Sequence, residues 1–210
     1  MIGIEFQNLS FSYTHQPIFS NISSTLSSGQ KIQITGDNGA GKTTFLKLAC
    51  SLLKPISGSI RYFDTQLDLD LRSARKNAGI SFDDSHLLRN FSVFENLSLY
   101  QKLYTGTTSS EKIIQWLTRF GLQSYRETPV QYLSQGEQKK VSLIKAFIHE
   151  PKILVFDEPT NSLDVDSKKI LSELFTELSN EHLLLVSTHD HEWSKTWSNR
   201  EIKIGKGKIL

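Results

Sequence analysis

The run Gly36-Asp37-Asn38-Gly39-Ala40-Gly41-Lys42-Thr43 constrains this chain more than any other stretch. It fits the pattern G-x-x-x-x-G-K-[ST], with the strand-like KIQIT at 31–35 before it and apolar residues at helical spacing after it. Glycines let successive backbone N–H groups curl round a phosphate, and the helix that follows turns the positive end of its dipole toward the same point. Lys42 adds a mobile charge for β- and γ-phosphates, and the Thr43 hydroxyl is a hard oxygen suited to Mg²⁺. Gly36, Asp37, Asn38, Gly39, Ala40, Gly41, Lys42, Thr43 and Thr44 are therefore candidate nucleotide contacts. Phe45, Leu46, Leu48, Ala49 and Leu52 predict a helix from Lys42 to Leu53, stopped by Pro55.

The rest of the 210 residues suits one domain with a sizeable core. Lys and Arg exceed Asp and Glu by only two, 24 against 22, which argues against a general polyanion surface, so no nucleic-acid partner is expected. A single cysteine, Cys50, excludes an internal disulfide and falls among apolar neighbours, which points to a reducing compartment. The start MIGIEFQNLSFSY has the form of a strand, and no apolar run is long enough to span a bilayer.

Ile2, Ile4 and Phe6 alternate with Gly3, Glu5 and Gln7 as in a half-buried strand. Strand signals recur at Ile18–Ile22, Ala78–Phe82, Ile153–Phe156 and Leu183–Thr188, and EIKIGKGKIL predicts two short strands round a turn. Between them, helical patterns fill Val93–Lys102, Glu111–Phe120 and Gln135–His149, with Ser110 as the expected N-cap of the second. Another helix is expected over Asp166–Ser179. Residues 83–150 thus form a helical insertion in an α/β core made of 1–82 and 151–210.

Three further segments carry chemistry. The apolar ILVF run delivers Asp157 and Glu158 at a strand's carboxyl end, where open α/β sheets bind ligands. Asp157 suits a metal and Glu158 suits a water, although two acids after a strand also cap helices. Ser134 and Glu137 in LSQGE make a capping box, and a helix start of Ser and Gly is also an anion site. His189 ends LLLVST beside those acids, with His191 close by.

With these motifs in this order, the chain resembles an ABC transporter nucleotide-binding subunit over nearly its whole length. LSQGE resembles the LSGGQ signature, Asn161-Ser162-Leu163-Asp164 the D-loop, and Ser187-Thr188-His189-Asp190 the switch-histidine segment. The resemblance implies a P-loop NTPase with a mixed sheet core, an N-terminal antiparallel β region and an inserted α-helical subdomain. It implies ATP and Mg²⁺, with Lys42, Glu158 and His189 catalytic and Tyr13 stacked on adenine. It also implies a head-to-tail dimer in which Ser134, Gly136 and Glu137 of one copy complete the ATP site of the other. The expected partner is a separately encoded membrane-spanning subunit that holds the chain at the cytoplasmic face of the membrane. The alternative is a soluble ABC-type ATPase, such as one of iron–sulfur cluster assembly. Three positions depart from the family: Gln135 replaces the signature's first central glycine, Glu137 replaces its glutamine, and Asp83 stands where a metal-contacting glutamine is expected, so Asp83 joins Thr43 and Asp157 as a candidate metal ligand.

Overall fold

The computed structural model describes residues 1–14, 16–65, 67–82 and 86–209. The chain runs through β1 (Ile2–Ser12), β2 (Pro17–Ser27), β3 (Lys31–Thr35), α1 (Lys42–Ala49), β4 (Ser57–Asp64) and β5 (Leu67–Leu69). Next come α2 (Leu71–Lys76), β6 (Ala78–Ser81), α3 (Val93–Thr105), α4 (Ser110–Arg119) and α5 (Gln135–Phe147). It ends with β7 (Ile153–Asp157), α6 (Val165–Glu177), β8 (Leu183–Ser187), α7 (His191–Ser194), β9 (Arg200–Gly205) and β10 (Lys208–Ile209).

Two sheets result. One is antiparallel, in the order β2-β1-β4-β5; the other runs β10-β9-β3-β8-β7-β6, parallel except for β10. Every residue of β7 and β8 is buried. Their side chains alternate between two cores, as expected of a strand covered on both faces. Ile153, Val155, Leu183 and Leu185 face the core shared with the antiparallel sheet and α1, where Phe45 packs 5.1 Å from Phe6. Leu154, Phe156, Leu184 and Val186 face the helices, where Phe156 meets Phe147 at 5.4 Å and Phe175 at 5.1 Å. Truncating such a ring costs about 3–5 kcal/mol. The same helical core includes Leu97 of α3 and Ile113 and Leu117 of α4, so the insertion is seated on the central sheet through α5.

The α/β core, antiparallel region and helical insertion expected from sequence are all present. Some boundaries differ. α1 ends at Ala49, not Leu53, because Ser51 turns left-handed at φ +53°. Ser109, not Ser110, caps α4: its extended backbone lets its hydroxyl accept from Lys112 N–H. β2 extends to Ser27, well past Ile22, and α6 starts and stops earlier than expected. No described helix is long and apolar enough to cross a membrane.

Candidate functional site

β3 pairs with β8 and β8 with β7, all parallel, so their carboxyl ends lie side by side. That register puts the glycine-rich loop, Asp157-Glu158 and Ser187-Thr188-His189 on one sheet edge. Gly36 leaves β3 at φ +144°, and a Cβ there would stand 2.3 Å from the Ile204 carbonyl oxygen, so only glycine fits. The buried Lys42 ammonium donates to the Gly36 carbonyl at 2.9 Å and to His189 Nε2 at 3.1 Å.

Asp157 is 5% exposed and held on both oxygens. Thr43 Oγ1 donates to Oδ2 at 2.7 Å and Ser187 Oγ to Oδ1 at 2.5 Å. Ser187 Oγ in turn accepts from the Glu158 N–H at 3.1 Å. Glu158 itself sits at φ +43°, a left-handed conformation that costs a non-glycine residue about 1–3 kcal/mol. Its Oε2 accepts weakly from the His189 N–H at 3.4 Å. Its Oε1 is sealed from solvent, has no hydrogen-bond partner among the described residues, and lies 3.4 Å from His189 Nε2. A buried carboxylate oxygen with an unused lone pair is a ready acceptor for a proton.

Lys42, Thr43, Asp157, Glu158 and His189 line a cavity of about 400 Å³. Asn38, Gly39, Gly41 and Thr44 of the loop also line it. Gly36 and Asp37 border an adjoining polar cleft, while Ala40 packs against the core. Tyr13 stands at the cavity rim, 58% exposed, edge-on to Phe11 at 5.0 Å and 3.4 Å from the Thr44 hydroxyl. Of the two nearby histidines only His189 reaches the acids; His191 Nδ1 faces Gln33 at 3.2 Å. Ser134, Gly136 and Glu137 are not among its lining residues and begin α5 instead. Asp83 lies outside the described residues. Sequence reading assigns no role to Ser187, whose only signal is a hydroxyl two residues before His189 at a strand end.

A family model described as ABC transporter matches residues 19–161. A putative ABC transporter ATP-binding protein of Caldanaerobacter subterraneus is 36% identical over 208 residues, covering 94% of this chain and 86% of that one. The cytochrome c biogenesis ATP-binding export protein of Vibrio vulnificus is 29% identical over 203 residues, covering 96% and 99%. A solved dimeric structure of a bacterial ABC transporter cassette matches with a TM-score of 0.84 at 24% identity, over 98% of this chain and 96% of that one, and so shares the fold.

Proposed function

The chain belongs to the ABC transporter family, and on that footing we propose that it is the ATP-hydrolysing subunit of a transporter. Two copies clamp two ATP molecules head to tail and drive a separate membrane-spanning partner. The observation that carries this reading is the convergence of Lys42, Asp157, Glu158 and His189 on one cavity.

Each side chain then has a task. The loop N–H groups and Lys42 hold the β- and γ-phosphates. The Glu158 carboxylate, which lines the cavity, takes up the proton of the attacking water, or orients it. Once phosphate engages Lys42, His189 Nε2 is released to carry the ring proton and donate to the γ-phosphate. The hydroxyl of Thr43 and the carboxylate of Asp157, already sharing a hydrogen bond, form a hard-oxygen pair that fits Mg²⁺. When bound, Mg²⁺ would supply charge neutralisation for the phosphates. Tyr13, exposed at the rim, stacks on the base. Residues 1–82 and 151–210 act as the nucleotide-binding core, and 83–150 carry the signature.

The partner docks in a second cavity of about 170 Å³ between β6, α3 and α5, walled by Ile80, Phe82, Tyr100 and Tyr104. Leu52, Leu99 and Leu103 are also exposed on α3 and beyond the end of α1. Docking there holds the chain at the inner face of the membrane. The test is turnover of purified protein with Mg-ATP. Glu158→Gln should bind ATP yet hydrolyse it at least about 100-fold more slowly. Unchanged turnover would remove Glu158 from its role. Recovery of the chain from detergent-solubilised membranes with a multi-helix protein supports the transporter part; recovery only in a soluble assembly rejects it.

A further inference from the structure

Ser134 and Glu137 close on each other at the start of α5. The Ser134 N–H and hydroxyl both donate to Glu137 Oε2, at 2.7 and 2.8 Å, and the Glu137 N–H donates to Ser134 Oγ at 3.3 Å. A hydrogen bond from the Tyr125 hydroxyl, followed by those from Ser134, holds this carboxyl below its ordinary range. Glu137 is therefore an anion at neutral pH. Lys140, on the same helix, is committed to Asp164 at 2.6 Å.

A helix start attracts anions through unpaired N–H groups and the positive end of its dipole. In this chain a carboxylate of its own occupies that end. The Ser134 hydroxyl has given its one proton to Glu137, and the Gln138 N–H is taken by the Ser134 carbonyl. The box leaves only the N–H groups of Gln135 and Gly136. Packing within the chain already demands glycine at 136, where an added Cβ would stand 2.7 Å from the Ser162 carbonyl oxygen.

We propose that Glu137 is an electrostatic brake on ATP-dependent pairing, its carboxylate repelling the triphosphate that a second copy would bring to the start of α5. The brake rests on the head-to-tail pairing of the proposed function. Two identical chains thus pair weakly, and a neutral residue at 137 strengthens the pair while leaving each copy's own nucleotide cavity untouched.

The test is sedimentation with ATP in the non-hydrolysing Glu158→Gln background, with and without Glu137→Gln. Glutamine can keep the capping box, so the thermal midpoint and the monomer's ATP affinity should hold. The dimer Kd should fall about tenfold at ~0.05 M salt and only about threefold at ~0.5 M, because salt screens the charge. Equal Kd values in both proteins overturn the brake alone. If neither protein pairs although both bind ATP, the pairing reading fails and the brake with it. Glu137→Ala removes the charge without adding an amide. Tightening there supports the brake, and tightening confined to glutamine overturns it.

Discussion

Lys42 Nζ and His189 Nε2 lie 3.1 Å apart although 147 positions separate them in sequence. The loop lysine and the histidine after β8 therefore share one point in space, and each has a different loss to show when removed. Lys42→Ala should abolish both ATP binding and turnover. His189→Ala should keep ATP affinity within about threefold and lower turnover about 10²–10³-fold, the usual cost of losing one donor to developing charge. Titration with a fluorescent ATP analogue beside steady-state turnover separates the two. A matched loss of affinity in His189→Ala would move the histidine from chemistry to binding.

Ser187 is fully buried and joins the two acids, donating to Asp157 and accepting from the Glu158 N–H. Ser187→Ala leaves Asp157 Oδ1 without that donor in a dry site. It should cost about 1–3 kcal/mol of stability, read as a lower denaturant midpoint. It should also shift the Mg²⁺ dependence of turnover, since Asp157 would no longer be held on both sides. Unaltered Mg²⁺ dependence would confine Ser187 to a structural role.

The legible part of this chain was the part where chemistry and backbone demand the same residues. KIQIT, GDNGAGKT and ILVFDE each combine a period with a motif, and the structure places all three on one edge. The long antiparallel strands were harder. β2 carries three register shifts against β1 and Asn21 at φ +54°, so its alternation is broken and only Ile18–Ile22 is read as strand. β4 begins with Ser57, Gly58 and Ser59, residues of turn character, and is held by pairing with β1 rather than by its own propensity. Ser187 escaped because its role exists only across the β7–β8 pair, where Asp157 stands opposite it.

His149 offers a test in pH. Its ring stacks on Tyr104 at 4.3 Å, Nε2 lies 3.2 Å from the Ala78 carbonyl, and Nδ1 is buried with no hydrogen-bond partner among the described residues. Burial, with the charge of Lys112 adding to it, pulls its pKa below the ordinary 6.5. The unfolded chain then takes up this proton before the folded one, so stability is full above the unfolded pKa and falls as pH drops below about 6.5. His149→Gln should flatten that fall between about pH 7 and pH 5, measured as denaturant midpoints of the two proteins at each pH. Parallel curves would mean that the ring protonates in place without penalty.

Gly36 and Gly39 both sit in the phosphate loop at positive φ, yet they should respond differently to the same methyl group. At Gly39, φ is +80° and an added Cβ meets nothing within 4 Å, so Gly39→Ala carries only the backbone cost, about 1–2 kcal/mol. At Gly36, φ is +144° and the Cβ would meet the Ile204 carbonyl oxygen at 2.3 Å. That carbonyl cannot retreat easily, because β9 is paired with β3 through Ile34–Ile202 and Thr35–Lys203. Relief must come from the loop or from the strand pairing that carries it. Gly36→Ala should therefore destabilise by more than about 3 kcal/mol, combining strain with a clash against fixed backbone. Denaturant unfolding of the two variants side by side reads the difference. Equal costs would show that β9 yields at Ile204 and that the loop's first glycine is not fixed by its neighbour strand.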